Sequence, residues 1–133
     1  MTKIKIDILP ICFVLLAMSF AGCAKTGSDL APVTGRITLD GKPLEKADIV
    51  FQPDGSKPPS SGRTDADGRY ELAYKRSVMG GMLGSNTVRI TISPDVVADP
   101  PNIPARYNTE SELTKEVKSG QNEFNFDLTT NEK

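Results

Sequence analysis

Apolar and polar residues alternate with period two along most of the chain after residue 32. In the first run Val33, Gly35, Ile37 and Leu39 share one face, while Thr34, Arg36 and Thr38 share the other. Successive side chains of a strand point to opposite sides, so this pattern predicts a strand with one face in a core and one in water. The same alternation recurs in Ala47, Ile49 and Phe51 against Asp48, Val50 and Gln52, and in Tyr70, Leu72 and Tyr74 against Arg69, Glu71 and Ala73. It recurs again in Val88, Ile90 and Ile92 against Thr87, Arg89 and Thr91. Leu113 and Val117 mark a weaker strand, with an exposed Lys115 on their parity, and Phe124, Phe126 and Leu128 form the last inward face.

The intervening residues read as connections. Asp40-Gly41-Lys42-Pro43 and Ser119-Gly120-Gln121-Asn122 are turn sequences, and Pro53 to Pro59 is a Pro/Gly/Ser loop. A polar run from Ser60 to Asp65 leads into Ala66-Asp67-Gly68, where Gly68 supplies the positive φ of a tight hairpin. Lys75 to Ser85, with Gly80, Gly81 and Gly84, predicts a mobile connection. Asp95 to Asn108, with Pro100, Pro101 and Pro104, predicts a long crossover. No useful helix is predicted in this part of the chain. Seven short one-sided strands predict an all-β fold, a seven-stranded antiparallel β-sandwich.

The first residues follow another pattern. Lys3 and Lys5 precede an uncharged run from Ile8 to Phe20, too short to span a bilayer as a helix. Phe20-Ala21-Gly22-Cys23 follows, which looks like a lipobox, the bacterial signal for cleavage and lipid attachment at cysteine. Phe20 stands where leucine is usual. This predicts a cleavable signal peptide over residues 1–22, cut between Gly22 and Cys23, with lipidation at Cys23. An ordinary secretory signal cut near Ala24 and an uncleaved membrane helix are the other readings. Residues 23–31 are then the lipidated Cys23 and a flexible tether, 32–128 the sandwich domain, and 129–133 a fraying tail. In a host with two membranes, the absence of Asp at position 24 favours the outer membrane, facing the periplasm.

Composition narrows the chemistry. Removing residues 1–22 takes away Lys3, Lys5 and Asp7, leaving 14 basic and 16 acidic residues of the 16 and 17 in the whole chain. There is no basic run to serve as a nucleic-acid footprint. Of the 2 cysteines, Cys12 leaves with the signal and Cys23 is blocked by lipid, so the domain rests on packing without a disulfide. The chain has no histidine, which removes Ser-His-Asp and Cys-His catalysis and His-ligated zinc. It has no tryptophan, and only Tyr70, Tyr74 and Tyr107 join the phenylalanines, a poor supply for a stacked sugar platform.

In order and spacing the motifs resemble carboxypeptidase regulatory-like domains, the transthyretin-like (prealbumin-like) sandwiches of small bacterial lipoproteins. Val33-Thr34-Gly35-Arg36-Ile37-Thr38-Leu39-Asp40-Gly41-Lys42-Pro43-Leu44 resembles their opening, and Thr64-Asp65-Ala66-Asp67-Gly68-Arg69-Tyr70 their second hairpin. Residues 86–93, 103–108 and 113–128 resemble the remainder. The resemblance implies that fold and a structural or interaction role, and does not imply peptidase activity; no cofactor or metal is expected.

Local candidates are few. Arg106 and Tyr107, in the loop from Ile103 to Asn108, are residue types enriched in binding hot spots, although Ile103 and Tyr107 also suit the capping of an open sandwich end. Asp65-Ala66-Asp67-Gly68 spaces two carboxylates as in part of a calcium loop, but reads better as a turn. Gly35 within a strand suggests a bulge or a close backbone approach. The expected function is a non-catalytic, lipid-anchored envelope protein serving as a structural or protein-interaction module. Its expected partners are the membrane, through the lipid, and another envelope protein. The alternatives are a small-ligand or carbohydrate-binding module and, third, an accessory subunit of a hydrolase. The sequence leaves the oligomeric state open.

Overall fold

The computed structural model describes residues 29–131, so the signal peptide, Gly22 and Cys23 lie outside the described residues. In chain order the elements are β1 (Leu30–Ala31), β2 (Val33–Leu39), β3 (Lys42–Pro43), β4 (Asp48–Pro53), β5 (Ser60–Arg63), β6 (Arg69–Glu71) and β7 (Ala73–Lys75). There follow β8 (Val78–Met79), β9 (Gly81–Met82), β10 (Gly84–Thr91), a 3-10 turn (Ala105–Tyr107), β11 (Thr114–Val117), β12 (Asn122–Glu123) and β13 (Phe126–Leu128).

Two sheets face each other across one core in a sandwich-like arrangement. The larger runs β11-β10-β4-β5-β7-β8, antiparallel throughout. The smaller is built on β2, which pairs antiparallel with β3 and β6 but parallel with β12 and β13. The parallel pairing departs from the wholly antiparallel expectation. A hairpin forces its strands to run oppositely; β2 and β13 are far apart in sequence, so no short turn sets their relative direction.

The alternation read from the sequence is the burial pattern of the central strands. Ile49 and Phe51 of β4, and Val88 and Ile90 of β10, are wholly buried against Val33 and Ile37 of β2. Each such side chain contributes about 1.5–3 kcal/mol by leaving water. Phe51 joins the layers, its ring 5.9 Å from that of Phe124 and 6.5 Å from that of Phe126. Thr38, expected outside, is nearly buried because its hydroxyl donates to Asp127 Oδ1 at 2.7 Å. Lys115 has the inward parity, as read, but is only half-exposed; its ammonium lies 5.7 Å from both the Phe124 and Phe126 rings.

The run from Arg69 to Lys75 changes sheet in its middle. Leu72, wholly buried, donates its amide to Val33 O at 2.9 Å and accepts from Gly80 N at 2.8 Å. These bonds close the corner between β6 and β7. Asp40 (φ 51°) and Gly41 (φ 82°) form the two-residue turn joining Leu39 to Lys42, both in the left-handed region that such hairpins require.

Two segments differ from the sequence reading. Leu30 and Ala31, assigned to the tether, form β1 and pair with Met82 and Gly81. Lys75 to Ser85, expected to be mobile, holds the end of β7, then β8, β9 and the start of β10. Gly81 serves a close approach: a Cβ there would stand 3.1 Å from Val33 and 3.2 Å from Leu72. The strand registers thereby define two ends. The ribbon end carries β1 and β9 with the turns at 54–59, 76–77 and 118–121; the loop end carries the turns at 40–41 and 64–68, the 92–113 connection and residues 129–131.

Candidate functional site

The loop end gathers the candidates. Pro104 leads into the 3-10 turn that holds Arg106 and Tyr107, and both Ile103 and Tyr107 pack partly on the core. The guanidinium of Arg106 lies 4.7 Å over the Tyr107 ring, a cation–π contact. Its Nη2 donates to Thr129 O, to Thr129 Oγ1 at 3.2 Å and to Asn131 O at 3.0 Å. The Tyr107 hydroxyl accepts from Thr129 N at 3.2 Å. Burial alone would raise the Tyr107 phenol, but the Thr129 hydrogen bonds and the neighbouring Arg106 outweigh it and hold the group below its ordinary value. The two residues therefore cap the sandwich and also grip the segment after β13.

The same segment is held from its other side. Thr130 donates its amide to Asp40 Oδ1 at 2.9 Å and its hydroxyl to Asp40 Oδ2 at 2.8 Å. These bonds to the ionised form hold the Asp40 carboxyl below the usual aspartate range. Residues 129–131, placed in the tail by the sequence, thus begin with hydrogen bonds to two separate loops. At the same end a hollow of about 430 Å³ is lined by Thr91, Ile92, Pro100, Asn102 and Asn108 among others.

A second depression, of about 570 Å³, lies on the outer face of the smaller sheet where β6 meets β5. Its lining includes Arg36, Arg63, Arg69, Tyr70, Glu71 and Glu123. Arg63 is tied to Asp48 through Nε–Oδ1 at 2.8 Å and Nη2–Oδ2 at 3.2 Å; the hydrogen bond, then the charge, raises the guanidinium value further. Arg36 and Arg69 stand directly opposite each other on β2 and β6, with no carboxylate within 4.0 Å of either among the described residues. Like charges so placed repel, and an anion between them would relieve that repulsion.

Beneath this depression lies a close contact that only glycine permits. The Tyr70 hydroxyl donates to Phe124 O at 2.6 Å across Gly35, where any Cβ would overlap that carbonyl. Tyr70 is 4% exposed, and burial, with the Glu123 charge adding, pushes its phenol far above the ordinary range. Phe124 O is available because Asn125 replaces it in the ladder: Arg36 N donates to Asn125 Oδ1 at 3.0 Å. Asn125 faces outward, opposite in parity to Phe124 and Phe126. Gly35 thus marks a close backbone approach.

The Asp65 carboxylate is absorbed by a turn, Oδ1 accepting from Asp67 N at 2.9 Å and Arg69 N at 3.0 Å, with Gly68 at φ 77°. Among the described residues no group of three or more His, Cys, Asp or Glu is placed to hold a metal ion, and no helix is long and apolar enough to cross a membrane. Sequence reasoning missed Asn86. It is wholly buried, donating to Met82 O and Gly84 O at 2.9 Å each, while its Oδ1 has no partner. Its signal was its parity with Val88 and Ile90.

No family model matches the chain, and no curated protein matches it. Among solved structures, one similar to it is a DUF3823 family protein from Parabacteroides merdae ATCC 43184, at 19% identity and a TM-score of 0.48, covering 77% of this chain and 47% of that one. Another is a 9R-lipoxygenase from Cyanothece PCC8801, at 21% identity and a TM-score of 0.41, covering 77% of this chain and 16% of that one. The chain spans about half the length of the first and a small part of the second.

Proposed function

We propose that the chain is a lipid-anchored, non-catalytic envelope protein, held by Cys23 and acting as a structural or protein-interaction module. In a host with two membranes it sits at the outer membrane, facing the periplasm. Its domain is a seven-stranded transthyretin-like sandwich of the carboxypeptidase regulatory-like kind. Supporting that description are the all-β character of the described residues and the two sheets that face each other across the core.

The observation that carries the functional reading is the polarity of the domain. The chain arrives from Cys23 at the ribbon end, while Arg106 and Tyr107 stand at the loop end. An anchor at one end leaves the other to meet a partner. The test has two parts. Membrane association and incorporation of labelled fatty acid are expected in the wild type and lost in Cys23→Ser; equal membrane partitioning of the two would sink the anchor. A photo-crosslinking residue at Thr109 is expected to trap an envelope protein that one at Lys57 does not, with the adduct lost in R106A/Y107A. Equal adducts from both positions would remove the loop end as the contact surface.

A small anionic ligand is the second reading, favoured by the facing Arg36 and Arg69 in the depression of the smaller sheet. A carboxylate or acidic-sugar titration that shifts the Arg69 resonances, and no longer does so in R36A, would support it.

A further inference from the structure

We infer that the ribbon end is a membrane-contact surface, with the β7–β8 hairpin resting on the headgroups of the bilayer that holds the anchor. The inference rests on the lipid-anchor reading and adds the orientation of the domain. Three observations carry it.

The first is reach. Six residue steps separate Cys23 from Asp29, which span at most about 20 Å when fully extended. Asp29 lies at the ribbon end, its carbonyl accepting from Leu83 N at 2.7 Å. A lipid on Cys23 therefore holds this end close to the bilayer.

The second is apolar exposure. Val78 and Met79, 41% and 50% exposed, are the large hydrophobic side chains left in water among the described residues. Both lie on β8, the outermost strand of the larger sheet, beside the hairpin tip at the ribbon end. Gly80 follows at φ 120°, and a Cβ there would stand 2.9 Å from Ala31 O, which fixes the hairpin's base beside β1.

The third is charge. Lys57, Lys75, Arg76 and Lys118 lie on or next to the ribbon-end turns, against Asp29 and Asp54. The loop end is the reverse: Asp40, Glu45, Asp65, Asp67, Asp95, Asp99, Glu110 and Glu112 stand there against Lys42, Lys46, Arg63, Arg69 and Arg106. An anionic surface attracts the first set and repels the second, and a shallow apolar tip flanked by basic residues suits the headgroup layer.

The mature protein, reconstituted in phosphatidylethanolamine–phosphatidylglycerol vesicles, supplies the test. A fluorophore on Ser77→Cys is expected to be quenched by nitroxide-bearing lipids, and one on Asp67→Cys is not. Combining K75E, R76E, V78S and M79S, all at exposed positions, should cut the quenching at position 77 at least about twofold. Equal quenching at both positions, or quenching unchanged by the substitutions, overturns the inference. A hairpin unquenched by lipid in a protein that dimerises with concentration would assign the patch to a second copy instead. Fractionation of Cys23→Ser judges the anchor separately, because the contrast between positions 77 and 67 decides the membrane contact whichever way the anchor falls.

Discussion

The two ends of the sandwich hold their outermost segments by different means. At the ribbon end the closure is backbone: β1 pairs with β9, Gly81 lies directly on Val33 and Leu72, and buried Asn86 and Asn122 hold the carbonyls of neighbouring turns. The loop end has backbone bonds too, at Gly68 and around buried Thr64, but its last segment is held by side chains near the surface, with Arg106, Tyr107 and Asp40 clasping residues 129–131. Buried amide bonds are expensive to leave unmade, whereas exposed contacts compete with water and exchange cheaply. The difference teaches which end is scaffold and which can adjust to something that binds.

The comparison breaks first at Asn86. Asn86→Ala strips Met82 O and Gly84 O of their donor and opens a void, and should cost about 2–3 kcal/mol in urea unfolding of the mature protein. A loss below that of any loop-end variant would erase the distinction. Arg106→Ala should cost under about 1 kcal/mol, because its bonds are at the surface. It should nevertheless speed amide exchange across residues 129–131, an effect that Asn86→Ala should not share at equal residual stability.

Acid sharpens the contrast most gently. The Asp40 carboxyl titrates lower in the folded chain than in the unfolded one. Its contribution is therefore complete above the ordinary aspartate value and is lost as pH falls through the lowered one. The protection of Thr130 N, its exchange relative to the intrinsic rate at each pH, should fall on acidification through that window in the wild type, but not in Asp40→Asn. Protection that stays constant in the wild type would mean that the ionised form does not hold the tail.

What the sequence revealed follows from how each part is stabilised. β2, β4 and β10 were legible because a strand with one face in a core must alternate, and theirs do. The 40–41 and 64–68 turns were legible because Asp and Gly carry their conformational preference locally. The β1–β9 ribbon was not: Gly80-Gly81-Met82-Leu83-Gly84 has a linker's composition, and only the contact of Gly81 with Val33 and Leu72 shows why a small residue stands there. Arg106 and Tyr107 were singled out by residue type, but their grip on Thr129 joins positions more than twenty residues apart and leaves no local trace. The partnership of Gly35, Tyr70 and Asn125 was likewise hidden, since each residue explains another only once three strands lie side by side.

The parallel pairing of β2 with β13 has a mechanical consequence. The N-terminal strand starts at the ribbon end and the C-terminal strand finishes at the loop end, side by side. Tension applied between an anchor before residue 29 and a load at residue 131 would pull these neighbours lengthwise past one another. Their cross-links would then be strained together, where strands peeled apart from one end would give way in turn. A domain wired this way resists stretching along its long axis, as a strut between two attachment points must.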